Sequence, residues 1–238
     1  MDADALSTTT LFASIADAAR AAPSDDAVPW RAIRRLCDRP TREIVAVAAR
    51  CCRSPERRLR LVGTDILADL VDRRDAPDAA ACDGILMPLL ADADPDVIAA
   101  AIDAIVTLDV GDNVAIAALA GHPAREVRVA VAACLATFED PETFDALIAL
   151  SRDADPDVRR HAVNGLGAQP EPDSEAIRVA LAERVTDTER DIAEDAIWGL
   201  VIRGDPRGNA ALDAALARGD TSETLQDAAL HRRDGRPR

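Results

Sequence analysis

Aromatic residues make up only 2% of this sequence, with no Tyr, two Trp and three Phe. Any core must therefore be built from Ala, Leu, Val and Ile, a palette that suits close helix-to-helix packing. Lysine is absent as well, so all 28 basic residues are Arg. The five cysteines, Cys37, Cys51, Cys52, Cys82 and Cys134, are odd in number and form no CxxC pair. That suggests neither a disulfide framework nor a zinc site and leaves buried free thiols as the expectation. No GxSxG, P-loop, GxGxxG or HExxH occurs, and His122, His161 and His231 are far apart in the chain. No catalytic residue, cofactor or metal site is expected. No apolar run of about 18 residues offers a membrane span, and MDADALSTTT lacks the basic and apolar segments of a signal peptide. A cytoplasmic protein that is not an enzyme is the expectation.

What is present is 48% hydrophobic residues and a formal charge of -15, too apolar for a disordered acidic chain and too acidic overall for broad binding to phosphate backbones. The charge is uneven. Residues 30–74 carry 12 Arg against 6 acidic residues, whereas residues 75–123 carry 9 Asp and no basic residue. Solvated faces are the simplest reading of both sectors.

The hexapeptide DADPDV at residues 92–97 returns letter for letter at 153–158. Aligned on the Val that ends it, five segments share a frame, with anchors Leu59, Val97, Val127, Val158 and Ile192 separated by 38, 30, 31 and 34 residues. Position +4 is Gly63, Ala101, Val131, Ala162 or Ala196, and +8 is Leu67, Ile105, Leu135, Leu166 or Leu200. Spacings of four and eight lie on one helical face, so each segment is an amphipathic helix whose mostly small +4 residue admits a neighbouring backbone. Asp94 and Asp155 precede Pro95 and Pro156, the pattern of an N-cap carboxylate followed by Pro at the first helical position; Pro55 and Pro123 mark comparable starts. Between these helices lie GILMPLLAD, NVAIAALAG, PETFDALIALSR and SEAIRVALAERV, each read as a preceding helix, the first kinked by Pro88. Hairpins of this kind cannot bury their apolar faces alone, so the expected architecture is an all-α α-solenoid of stacked antiparallel helical hairpins. An N-terminal helical cap over 1–29, five repeats over 30–205 and a C-terminal helical cap and frayed tail over 206–238 complete it. Trp30 is read as core.

Asp155, Pro156, Asp157, Val158 and Arg159, followed by Ala162 and Gly165-Leu166-Gly167, resemble the HEAT-like repeat of bacteria, the type found in phycobilisome lyases. The resemblance covers roughly residues 40–205. It implies that Arg at +1, here Arg60, Arg128 and Arg159, bonds acidic groups in the turns; Ile98 and Ala193 interrupt that series.

If the second helices line a concave groove, their exposed positions fall at +2, +3 and +6. These are Asp65, Asp103, Arg160, His161, Asn164, Glu194, Asp195 and Trp198, the candidate partner-binding residues. Trp198 occupies the +6 slot that other units give to Asp65, Asp103, Ala133 and Asn164, and an aromatic beside carboxylates can anchor an interface. The leading function is a non-catalytic scaffold or adaptor binding another protein, with nucleic acid an improbable ligand. An immunity or inhibitor protein masking a basic toxin or nuclease surface is the narrower alternative. The resemblance also allows a HEAT-like enzyme, a bilin lyase or DNA glycosylase.

Overall fold

The computed structural model describes residues 7–21, 33, 40–71, 78–138 and 141–234. Trp30, Cys37, the loop before Trp30 and residues 235–238 lie outside the described residues. Regular structure among the described residues is entirely helical. The chain groups into two compact units, 1–112 and 113–238.

Unit 1 contains α1 (Thr8–Ala21), α2 (Thr41–Cys52), α3 (Arg57–Ala68), α4 (Ala79–Leu86) and α5 (Pro95–Leu108). Helices α2 and α3 form one hairpin, α4 and α5 the next, with α1 packed on α2 and α3, and α3 on α5. At Pro88 the α-helical bonding gives way to a 3₁₀ segment, Met87–Ala91, because proline supplies no donor for the i−4 carbonyl. Unit 2 contains α6 (Asn113–Ala117), α7 (Arg125–Thr137), α8 (Phe144–Leu150), α9 (Pro156–Gly167), α10 (Glu175–Arg184), α11 (Arg190–Ile202), α12 (Pro206–Ala217) and α13 (Glu223–Asp234). Its second helices α7, α9, α11 and α13 pack in sequence, with α8, α10 and α12 as the first helices between them. The expected stacked hairpins, an α-solenoid, are what forms.

The anchors explain why. Leu59, Val97, Val127, Val158 and Ile192 are all 0–1% exposed, and so are the residues at +8. Each large aliphatic so buried contributes about 1.5–3 kcal/mol. At Gly63 a Cβ would stand 2.8 Å from the Cys52 backbone nitrogen, so the small +4 residue sets how closely α3 approaches α2.

The turns carry a second repeated device. Asp94 and Asp155 cap α5 and α9, accepting from Asp96 N–H at 3.1 Å and Asp157 N–H at 2.9 Å, and Asp205 repeats the motif on α12. Pro55 and Pro123 differ from the expectation: they precede helices that begin at Arg57 and Arg125. There the acceptor sits five residues before the anchor. Ser54 Oγ accepts Glu56 N–H and His122 Nδ1 accepts Ala124 N–H, both at 3.1 Å. Asp92, Asp153 and Asp187 hold the same −5 slot and accept the same N–H, from Asp94, Asp155 and Glu189.

Where that slot is Asp, the +1 arginine of the preceding repeat docks on it. Arg60 reaches Asp92 at 2.7 Å, Arg128 reaches Asp153 at 2.7 Å, and Arg159 reaches Asp187 at 2.8 Å. Each arginine also donates to two carbonyls of its own turn: Ser54 and Pro55, His122 and Pro123, Asp153 and Ala154. Each guanidinium thus ties two turns together; Arg128 and Arg159 use nearly all their donors, whereas the Arg60 Nε lies beside Asp92 without a hydrogen bond. Ile98 at +1 has no guanidinium to give, and the −5 slot that follows it is His122 rather than Asp. A more exposed rung runs alongside. Arg57 bonds Asp94 and Asp96, Arg125 bonds Asp155 and Asp157, and Arg160 bonds Asp157 and Asp191. In unit 1 the Arg-rich and Asp-rich stretches therefore partly neutralise each other, rather than forming two wholly solvated faces.

Candidate partner-binding site

Trp198 rides on α11 at the slot six residues past the buried anchor Ile192, which turns it out of the main seam. It is half-buried. One side packs against the apolar cluster that α11 shares with α12 and α13, including Ile197, Leu212 and Leu225. The His231 ring meets it edge-on from α13, with centroids 5.8 Å apart and planes at 69°. The C-terminal helix pair therefore covers part of the indole and leaves part free.

The free part forms the wall between two grooves. The first, of about 380 Å³, is lined by Asn164 of α9, Asp195 of α11 and Glu223, Thr224 and Asp227 of α13. No basic residue lines it. Asp195 takes a hydrogen bond from Asn164, yet its pKa is raised, first by burial and then by the charges of Asp191 and Glu194. The second groove, of about 290 Å³, is lined by Asp173, Arg203 and His231 besides Trp198. The Arg203 side chain is 1% exposed. It donates at 2.8 Å to Leu166 O and Gly199 O, carbonyls in the last turns of α9 and α11, a cation placed where helix C-termini favour one. Its Nε makes no hydrogen bond, and Asp173 is 3.7 Å away.

The sequence candidates thus divide. Asn164, Asp195 and Trp198 meet at the first groove. Arg160 is held by Asp157 and Asp191, and Glu194 accepts from Arg190 at 2.7 Å, so both are engaged within the fold. His161 is half-buried on α9. In unit 1, Asp65 on α3 is half-buried and Asp103 on α5 exposed; loss of part of the surrounding solvent to the neighbouring helices raises both carboxyls, Asp65 to about 6. Glu223, Asp227, Arg203 and Asp173 were missed. A signal for the first two existed, since Leu225, buried like an anchor, follows Ile192 by 33 residues. Arg233 at its +8 slot, where other repeats put an aliphatic, hid the period.

Among the described residues no group of three His, Cys, Asp or Glu is placed to hold a metal ion, and no helix is long and apolar enough to cross a membrane. Burial pushes the Cys51 and Cys52 thiols up to about 12, the direction that suppresses thiolate chemistry.

The HEAT repeats family matches residues 113–200 and 149–231, together half of the chain. The protein belongs to the HEAT-repeat family. No curated protein matches it in sequence. Among solved structures, this HEAT-repeat chain is similar to YibA of Escherichia coli, with TM-score 0.65 and 19% identity over 98% of this chain and 99% of that one. It is also similar to an archaeal HEAT-like repeats protein from Thermococcus onnurineus, with TM-score 0.59 and 14% identity over 97% of each chain. A designed armadillo repeat protein in complex with the peptide (KR)4 aligns with TM-score 0.54 and 17% identity, over 79% of this chain and 97% of that one. At these identities the likeness is one of fold.

Proposed function

We propose that this HEAT-repeat protein is a non-catalytic scaffold that binds another protein on the face of its second helices. The observation that carries the reading is the first groove, where a half-exposed Trp198 stands beside carboxylates of α11 and α13 and the Asn164 amide of α9, three successive second helices. Large aromatics in partly desolvated pockets are the residues that dominate binding energy at interfaces, and unpaired carboxylates around one give orientation and selectivity. A designed repeat protein of similar fold holds a peptide, which supports a polypeptide ligand. His161, Asn164, Asp195 and Trp198 are assigned to the unit 2 contact, and Asp65 and Asp103 to a contact on unit 1.

The narrower inhibitor reading would use the Asp-rich stretch at 75–123 to mask a basic surface. Asp92, Asp94 and Asp96 are occupied by Arg57 and Arg60, which leaves less free negative charge than the sequence count suggests and favours the general scaffold reading.

Site-specific photocrosslinking in the native host tests the proposal. A crosslinking residue at position 164 or 195 is expected to capture a defined partner, while one at Ala176, exposed on the first helix α10, captures none. Equal capture from all three positions, or none from 164 and 195, overturns it.

A further inference from the structure

Resting on the scaffold reading, we infer that the first groove is a receptor for an arginine side chain carried on an extended segment of the partner protein, with the guanidinium against Trp198 and between Asp195 and Asp227. Charge is the first reason. On the turns of unit 2 the carboxylates that bridge successive repeats are matched to arginines: Asp153, Asp155, Asp157, Asp187 and Asp191 all take one. In the groove, Asp195, Glu223 and Asp227 have no basic partner within bonding distance among the described residues. Arg160, the guanidinium whose charge acts on Asp195, is already held by Asp157 and Asp191.

The neighbouring groove supplies the contrast. It shares the Trp198 wall, but there the carboxylates of Glu171 and Asp173 are accompanied by the Arg203 guanidinium. The first groove has three carboxylates and no basic lining residue, so it is the more attractive side of the indole for a cation entering from solvent. Trp gives the strongest cation–π surface, and a guanidinium can stack on it while its planar fork addresses carboxylates on two helices. A lysine ammonium cannot do both. The volume of about 380 Å³ suits one long side chain with its water rather than a folded element. The raised pKa of Asp195 agrees, since a carboxylate desolvated without a counter-charge is relieved when a cation arrives.

The test follows the Trp198 indole N–H resonance by nitrogen-15 NMR on the full chain, distinguished from that of Trp30 by a Trp30→Phe variant. The probe is the blocked peptide Gly-Ser-Arg-Ser-Gly, compared with versions carrying citrulline or lysine at the centre. A saturable Trp198 shift is expected with arginine, about tenfold weaker binding with citrulline and a clear weakening with lysine. The Glu223→Gln/Asp227→Asn variant, altered at two exposed residues, is expected to keep its thermal melt and bind the arginine peptide about tenfold less tightly. No Trp198 shift at about 10 mM peptide, a low-affinity limit, equal response to citrulline, or an indifferent double variant overturns the inference. Photocrosslinking keeps the two readings apart. Capture from position 164 that persists in the double variant sinks the arginine receptor and leaves the scaffold; loss of all capture from this face in the unaltered protein sinks the scaffold itself.

Discussion

Replacing Asp187 with Ala should be among the costliest single changes in unit 2. The carboxylate is 1% exposed and takes both ends of the Arg159 fork, at 2.9 and 2.8 Å, while also accepting Glu189 N–H at 3.1 Å. Removing one partner of a buried pair costs about 3–5 kcal/mol, because the other charge is left stranded. Arg159 would keep two carbonyl acceptors, at 3.1 and 3.0 Å, which places Asp187→Ala near the lower end, about 3 kcal/mol. The comparison is Glu183→Ala, which removes the Arg152–Glu183 pair at 2.7 Å with side chains 44% and 41% exposed. Solvent screening reduces that loss to about 0.5 kcal/mol. Equilibrium urea denaturation by circular dichroism measures both, with hydrogen exchange on α9 and α11 localising the loss. The Asp187 pKa is lowered, first by the Arg159 hydrogen bond. Its contribution is thus present above the ordinary carboxylate pKa and lost as pH falls through the lowered folded value, and the two stability curves should converge below that value. Equal costs for Asp187→Ala and Glu183→Ala, or a cost under about 1 kcal/mol for the former, would refute the view that buried rungs tie the turns together.

Gly199→Ala should destabilise by about 1–3 kcal/mol, because a Cβ there would lie 2.7 Å from Gly167 Cα between α9 and α11; Gly84→Ala, with nothing within 4 Å, should raise the melting temperature slightly through helix propensity. Asp65, raised to about 6 by burial, contributes stability below its unfolded pKa that disappears as pH rises through about 6. Asp65→Asn should remove that dependence and add about 1–2 kcal/mol at neutral pH, after discounting for partial exposure, as read from urea midpoints across pH. Cys51 and Cys52, buried and with thiols at about 12, should react with a thiol-specific chromogenic reagent at the rate of unfolding, in step with denaturant.

The helices and their seams were legible because burial imposes one residue class at fixed offsets: Val97, Val158 and their +4 and +8 partners had to be small or aliphatic wherever the repeat was kept. The N-caps at Asp94 and Asp155 were legible for the same reason, since Asp followed by Pro has few other uses in such a chain. The −5 slot was not. Ser54, Asp92, His122, Asp153 and Asp187 differ in size, charge and chemistry and share only an acceptor atom aimed at the N–H two residues on. A pattern search over residue types cannot see a shared lone pair. The resemblance did anticipate that Arg60, Arg128 and Arg159 bond turn acids, but which acid each takes depended on recognising that slot.

The same limit shaped the reading of the site. Offsets of +2, +3 and +6 place Arg160, Asn164, Asp195 and Trp198 on one side of their helices, but offsets alone do not distinguish a carboxylate that has a partner from one that lacks one. Asp191 and Asp195 lie four residues apart on α11 and carry the same charge. One is bonded to Arg160 at 2.5 Å; the other faces a groove with no basic lining residue. What separates them is the neighbouring helices: α9 offers Arg160 to the first and Asn164 to the second, and α13 brings Glu223 and Asp227 up to the second. The binding character of Asp195 is thus a property of three helices at once, which is why the helix that the sequence read as a closing cap supplies two of the three acidic groups that define the groove.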